Sequence, residues 1–452
     1  MSPGTPDNPL KVAVIGAGPT GFYTAEWLQK DYGEGVRVDM FDRLPTPFGL
    51  VRGGVAPDHQ KIKSVTAIYD KIAAHPGFRY FGNVEVGRDL SLDDLKRCYH
   101  QVVYCTGAQT DRSMGIPGED LQGSYAATEF VGWYNGHPDY RDRTFNLQAE
   151  SVAVVGVGNV AVDVARILCR TPEELATTDI ADYALEALTH SRIREVTMLG
   201  RRGPAQAAFT LVEVRELGEL SAADALVPAE DMELDPASQA EVAADKMTGK
   251  KVEVLREFSR RTPSGKPRVL NLRFLWSPVE VLGDDQGRVR ALKLVRNVLA
   301  EENGKVVCRP TERVEELPVQ MVFRSVGYKG VALPDLPFDA RSGTVPNDRG
   351  RTEVPGVYVA GWIKRGPSGV IGTNKPCAKE TVETMKQDGT VLSPTGGDIQ
   401  DLLKERGIRA VTYPAWQELD KLEVARGQAQ GRPRVKFTTV EEMLQAVHGS
   451  PA

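Results

Sequence analysis

The chain has 452 residues, 41% of them hydrophobic and 26% charged, with a formal net charge of −5. That length suits two or three domains, and the composition is that of an ordinary globular protein. The acidic balance argues against bulk nucleic-acid binding. The longest apolar stretch, 152–165, is broken by glycines, Asn159 and Asp163, well short of the roughly 18 apolar residues that a membrane helix needs.

Met1 to Leu10 holds three prolines and no apolar core, so no secretory or transit segment is read there and a cytoplasmic location is expected. Val12-Ala13-Val14-Ile15 then reads as a buried parallel strand running into Gly16, Gly18 and Gly21. Such glycines allow a tight turn that brings backbone amides at a helix N-terminus against a pyrophosphate. A second strand, Val36 to Asp42, ends in an acid about 20 residues past the last glycine, where a carboxylate suits the hydroxyls of an unphosphorylated ribose.

The same pattern recurs at Val152-Ala153-Val154-Val155 with Gly156, Gly158 and Ala161, but its second strand, Val196-Thr197-Met198-Leu199, ends in Gly200-Arg201-Arg202. The acid is replaced by two guanidiniums able to clamp a 2′-phosphate through charge-assisted bonds. The first site therefore reads as FAD and the second as NADPH. The competing reading of Arg201 and Arg202 is a surface pair beside a Gly-Pro turn; their place after the second strand favours phosphate.

The apolar runs at 102–107 and 321–327 each end on a glycine, as where a chain crosses between lobes, and Gly356 to Trp362 supplies a further strand before a helix-like stretch from Ala378 to Lys386. The expected fold is α/β, with two Rossmann-like nucleotide-binding domains in the manner of glutathione-reductase-like flavoproteins. An FAD domain in two pieces, 1–107 and 328–452, accepts the NADP domain, 108–327, as an insertion. Within the insertion, 251–320 reads as an antiparallel excursion with strands at Val252–Leu255, Val269–Leu275 and Ala291–Val295. The tail from Ser393 is polar and helix-capable, basic at Arg432 to Lys436, and is assigned no chemistry. Cys98, Cys105, Cys169, Cys308 and Cys377 show no Cys-x-x-Cys and no metal-ligand spacing, so they read as free buried thiols, without a metal, an iron–sulfur cluster or a redox disulfide.

Three blocks carry a resemblance: Leu44 to Arg52 with Val55 to Lys61; Gly156 to Asp163 with Gly200 to Pro204 and Gln206 to Thr210; and Gly361 to Lys375. Through them the chain resembles the adrenodoxin reductase family of ferredoxin:NADP+ reductases over nearly its whole length, in a bacterial-type form without a mitochondrial presequence. The resemblance implies FAD contacts at Gly16, Thr20, Asp42, Leu50, Val86, Trp362, Gly369, Val370 and Ile371. It implies NADP contacts at Asn159, Val160, Ala161, Arg201, Arg202, Glu213 and Gly369. Many relatives carry Glu where this chain has Asp42, so a weaker or water-bridged ribose contact is open.

By the same resemblance His59 and Glu213 lie near the reacting rings, Glu213 binding the carboxamide and His59 aiding proton traffic or charge balance. The residues alone leave His59 evenly open to a structural hydrogen bond after Pro57-Asp58, Glu213 to a solvated helix face, and Trp362 to plain core packing. Asp163 reads as a structural partner of Arg166.

A flavin takes two electrons as hydride and can release them singly, and the chain has no cysteine pair to receive them. The acceptor implied by the resemblance is a small acidic iron–sulfur ferredoxin. Lys250 to Arg273, with eight Lys and Arg, together with Arg215 and Lys364-Arg365, offers a basic surface for it, against the alternative of a solvated hairpin charged for solubility. Whether the chain is a monomer or a homodimer is left open. Three other functions are weighed. A glutamate-synthase-like pyridine-nucleotide subunit would carry N-terminal cysteine clusters, and 1–97 has no cysteine. A flavin monooxygenase would need a substrate cavity that no motif announces. A non-catalytic flavin-binding module fits poorly with intact Arg201, Arg202 and Glu213.

Overall fold

The computed structural model describes residues 3–302, 305–388 and 392–449. The chain divides into two compact units. The first comprises Met1–Thr110, Asn135–Pro138 and Gly327–Ala452; the second, Asp111–Tyr134 and Asp139–Val326, is inserted into it in sequence. Among the described residues no helix is long and apolar enough to cross a membrane.

The first unit is built on a five-stranded parallel sheet in the order Val357–Val359, Gln101–Tyr104, Leu10–Ile15, Val36–Phe41, Phe78–Phe81. Because side chains alternate along a strand, each strand feeds two cores. Val12, Val14, Val38, Met40 and Tyr80 pack on one face, while Ala13, Ile15, Phe41, Phe81 and Tyr104 pack on the other. The fingerprint helix Pro19–Tyr32 covers the first of these faces with Phe22, Ala25 and Leu28. The tail forms helices Ile399–Glu405, Tyr413–Gln428 and Val440–His448, and Trp416, Leu419, Phe437 and Met443 complete the same core.

Charge inside the tail is also spent on this unit. Fully buried Glu423 accepts both Arg52 guanidinium nitrogens, at 2.8 and 2.5 Å, one from Arg434 at 3.2 Å and the Phe437 amide at 2.9 Å. Lys436, 7% exposed, donates to the carbonyls of Asn135 and Arg52. The basic stretch Arg432 to Lys436, to which the sequence assigns no chemistry, is therefore a fastening whose Arg432 and Lys436 are buried.

The second unit carries a six-stranded parallel sheet in the order Ser124–Ala126, Met321–Arg324, Ser151–Val155, Glu195–Gly200, Arg268–Phe274, Ala223–Leu226. Helices cover the face bearing Val152, Val154, Val196 and Met198. The opposite face, with Ala153, Val155 and Leu199, is covered by an antiparallel sheet of Trp276–Gly283, Val289–Glu302 and Lys305–Pro318 through Trp276, Val281, Leu292 and Leu294.

The antiparallel excursion thus exists but begins later than the sequence suggests. Val252–Leu255 is not a strand; it lies in the helix Lys246–Ser259. The Val-x-Val alternation misleads, because the helical spacing of Thr248, Val252, Leu255 and Phe258 puts those four on one buried face, and the Asp245 side chain caps the helix by accepting from Met247 and Thr248. Val269–Leu275 likewise belongs to the parallel sheet, as Arg268–Phe274, paired with Glu195–Gly200.

All five cysteines are free. Four are buried, and Cys308 is only half-buried, on an edge strand of the antiparallel sheet, where the sequence reads it as buried. Burial pushes the thiols of Cys105 and Cys169 up to about 12, which leaves them protonated and poor nucleophiles.

Candidate functional site

Each parallel sheet places a glycine loop at the C-terminal end of its central strand. In the first unit Gly16 has φ +108°, and a Cβ there would stand 2.6 Å from the Cys105 carbonyl oxygen. At Gly21 a Cβ would meet the Gly16 carbonyl at 2.1 Å, so helix and turn can close only on glycine. Around the Cβ position of Gly18, the residue preceding the fingerprint helix, nothing lies within 4 Å. Two glycines are demanded by packing, and the third leaves open space at a helix N-terminus, as a pyrophosphate requires.

Asp42 follows the second strand directly. Its Oδ2 accepts from the Ala17 amide at 2.9 Å and its Oδ1 from Leu44 at 3.0 Å. Burial pushes this carboxyl up, against the amide bonds that favour its charged form. Each oxygen keeps a second lone pair for a ribose hydroxyl, so the shorter acid fits while also fastening the glycine loop. Phe48 donates to the Ala17 carbonyl at 2.7 Å and folds the Leu44–Arg52 block over the same loop. Leu50 opens the short helix Leu50–Gly53, 39% exposed, and Val86 is half-buried beside Leu90. His59, half-buried, precedes the helix Gln60–Lys63.

Thr20 is packed under Gly361, where a Cβ would approach its Oγ1 to 2.3 Å. This brings the late block against the first glycine loop. Trp362 is half-buried; its indole donates to the Ser368 carbonyl at 3.2 Å and its ring lies 5.6 Å from that of Tyr328. Gly369 (φ +77°), Val370 (53% exposed) and Ile371 sit on a loop held from within by Arg365, which bonds Ser368, Thr373 and Asn374. Arg365 and Lys364, the latter paired with Glu380 at 2.6 Å, are therefore engaged inside the unit.

The second unit repeats the arrangement. Gly156 has φ +138° with the Ser325 carbonyl 2.2 Å from its would-be Cβ, and Gly158 again faces open space before the helix Asn159–Cys169. Ala161 is fully buried and Val160 packs partly against the core. The Asn159 side chain accepts the Thr210 amide at 2.9 Å, tying the two halves of this block together.

Arg201 and Arg202 are exposed at the end of the strand Glu195–Gly200. Their backbone is held: the Arg201 carbonyl accepts from Asn297 Nδ2 at 2.9 Å and Cys308 Sγ at 3.3 Å, and the Arg202 carbonyl from the Leu275 amide at 3.0 Å. Two exposed guanidiniums on a pinned loop beside an open glycine turn are a fit for a phosphorylated ribose.

Glu213 is not on a solvated face. It is 6% exposed in the helix Leu211–Leu217, which Thr210 caps, and accepts Arg166 Nη1 at 3.1 Å. Arg166 is fully buried and also pairs with Asp163 at 2.8 Å and Glu216 at 3.5 Å. The Asp163 reading holds. The sequence does not pair Arg166 with Glu213, although an arginine in the apolar run Val162 to Leu168 signals a buried acid elsewhere.

The stretch Lys250–Arg273 is a helix and a strand rather than a hairpin, and four of its eight cations are used internally. Lys251 donates to the Ala207 carbonyl at 2.6 Å, Lys266 to the Leu220 carbonyl at 2.7 Å and Arg268 to the Ile193 carbonyl at 3.2 Å, while Arg273 donates two hydrogen bonds to the Glu315 carboxylate, at 2.6 and 2.9 Å. These four are withdrawn from a basic docking face, while Lys250, Arg260 and Arg261 remain exposed.

Comparison with known proteins agrees with this geometry. The family described as pyridine nucleotide-disulphide oxidoreductase matches residues 10–202. The chain is 46% identical to NADPH-ferredoxin reductase FprA of Mycobacterium leprae, over 97% of this chain and 98% of that protein. It is 42% identical to the mitochondrial NADPH:adrenodoxin oxidoreductase of Arabidopsis thaliana, over 97% and 95%. The solved structure of Mycobacterium tuberculosis FprA in complex with NADPH superposes with a TM-score of 0.92 at 45% identity, covering 97% of this chain and 99% of that one. With both glycine loops, the arginine pair and this likeness along its length, the chain belongs to the adrenodoxin reductase family of ferredoxin:NADP+ reductases.

Proposed function

We infer that the protein is an NADPH-dependent flavoprotein reductase, which takes hydride from NADPH onto FAD and passes electrons singly to a ferredoxin-type iron–sulfur protein. The observation that carries the reading is the contrast between the two loops. An acid, Asp42, follows one second strand, and the exposed pair Arg201–Arg202 follows the other. The similar proteins of both bacterial and plant origin are named for NADPH together with ferredoxin or adrenodoxin.

The flavin, when bound, supplies the exchange between hydride and single electrons, so the protein's task is binding and orientation. In the first unit Gly16, Gly18, Thr20 and Gly21 hold the FAD pyrophosphate, Asp42 its ribose, and Leu50, Val86, Trp362 and Gly369–Ile371 its ring and chain. In the second, Gly156, Gly158, Asn159, Val160 and Ala161 hold the NADP pyrophosphate and Arg201 and Arg202 the 2′-phosphate. Glu213, fixed by Arg166, binds the carboxamide, Gly369 is a further NADP contact, and His59 balances charge or carries a proton. The fixed Glu213 supports this role, since a carboxylate already pinned by a buried guanidinium loses little freedom on binding an amide. The assignment of 1–107 with 328–452 to FAD and 108–327 to NADP is supported by which glycine loop each stretch carries. The acceptor in this reading is a small acidic ferredoxin, which the ferredoxin and adrenodoxin in the names of the similar proteins support, and its compartment is the cytoplasm.

Anaerobic mixing of the purified flavoprotein with NADPH or NADH, followed by oxidised ferredoxin, tests the reading. Bleaching that prefers NADPH, then reoxidation by ferredoxin in one-electron steps, is expected. Bleaching without transfer to any ferredoxin, but with rapid reoxidation by oxygen and an organic substrate, would indicate a monooxygenase. No bleaching would leave a binding module.

A further inference from the structure

We propose that Asn297, 96 residues beyond Arg201, is a positioning residue for NADPH selectivity, and that the antiparallel sheet of the second unit exists in part to aim the arginine pair. The proposal rests on Arg201 and Arg202 being the 2′-phosphate ligands. Asn297 is 3% exposed, and its side-chain amide donates to the Arg201 carbonyl at 2.9 Å and to Ser277 Oγ at 2.8 Å. Its backbone amide donates to the Leu275 carbonyl at 2.7 Å, and the Leu275 amide donates in turn to the Arg202 carbonyl at 3.0 Å. The bonds form a closed clip around two consecutive residues whose own side chains point to solvent.

Two features show that the clip is built rather than incidental. Leu275 has φ +61°, a left-handed conformation that residues with side chains avoid, and it stands between the strands Arg268–Phe274 and Trp276–Gly283. The register between the strands Val289–Glu302 and Lys305–Pro318 is interrupted between Val295 and Asn297, as in a bulge that re-aims a side chain. Cys308, on the neighbouring strand, adds a second donor to the Arg201 carbonyl at 3.3 Å.

A guanidinium on a flexible loop must be ordered when it meets phosphate; one on a clipped loop starts in place. Losing one such bond is therefore expected to weaken NADPH and spare NADH. Asn297→Ala and Cys308→Ala are made in the FAD-loaded protein, alone and in the Arg201→Ala/Arg202→Ala background, and ferricyanide reduction is followed with each nucleotide. For Asn297→Ala the expected result is a rise of about threefold to tenfold in KM for NADPH. Its kcat holds, and NADH values move less than twofold. The rise vanishes when both arginines are already gone. Cys308→Ala should act in the same direction and less, and it tests the clip should Asn297→Ala not fold. Equal losses for both nucleotides, or a selectivity loss that persists without the arginines, overturn the proposal. If the double arginine variant keeps its NADPH preference, the phosphate reading fails and the proposal with it; if that variant loses preference but neither clip variant shifts it, only the proposal fails.

Discussion

Replacing Arg201 and Arg202 together by alanine separates the phosphate reading from a general role in folding. Both side chains are exposed, and their loop is held through carbonyls by Asn297, Cys308 and Leu275. Truncating the side chains therefore leaves those anchors intact. A charge-assisted hydrogen bond contributes roughly 1.5–3 kcal/mol, and solvent exposure argues for the lower end at each arginine. Two such losses come to about 3 kcal/mol, a little over a hundredfold in kcat/KM for NADPH. NADH lacks the 2′-phosphate and should change less than threefold. The assay is steady-state ferricyanide reduction with each nucleotide, with flavin content measured to establish that FAD is retained. A parallel fall for NADPH and NADH, or an NADPH loss under fivefold, would refute the argument.

Other consequences concern the scaffold. Glu423→Gln should destabilise the protein by about 3–5 kcal/mol, as for breaking a buried pair, because Arg52 and Arg434 lose their counter-charge; an unchanged urea midpoint would speak against this. Burial acts to raise the Glu423 carboxyl, but Arg52 and Arg434 overcome it and hold it below the usual carboxylate range. Its folded pKa is thus lower than its unfolded one, so its contribution is full above about pH 4.3 and is lost as pH falls through the folded value. Melting temperature measured against pH should drop on the acid side, and drop less in Glu423→Gln. Arg166→Met strands Asp163, Glu213 and Glu216 and should cost about 3–5 kcal/mol by chemical unfolding. Gly16→Ala forces a side chain onto φ +108° and against the Cys105 carbonyl, so the protein should purify with little or no flavin; a normal yellow yield would contradict the role given to that turn.

What could be learned from the sequence alone was what is local. Glycine spacing, the apolar strands before each loop, and the switch from Asp42 to Arg201–Arg202 lie within one βαβ unit, where the chain's own geometry dictates the contacts. The family blocks extended this to nearly the whole length. Local pattern failed where tertiary packing competed with it. Val252-Glu253-Val254 alternates like a strand yet is helical, since Val252, Leu255 and Phe258 meet the core at helical spacing.

The partnerships that fix the site were hidden because they join residues far apart in the chain. Arg166 meets Glu213 across 47 residues, Asn297 meets Arg201 across 96, and Glu423 meets Arg52 across 371. Nothing in the spacing of such residues specifies their contact. Only folding, by removing water from Arg166 and Glu423, makes an acid partner obligatory for the one and a guanidinium for the other, and so turns Glu213 from a helix-surface acid into an oriented group.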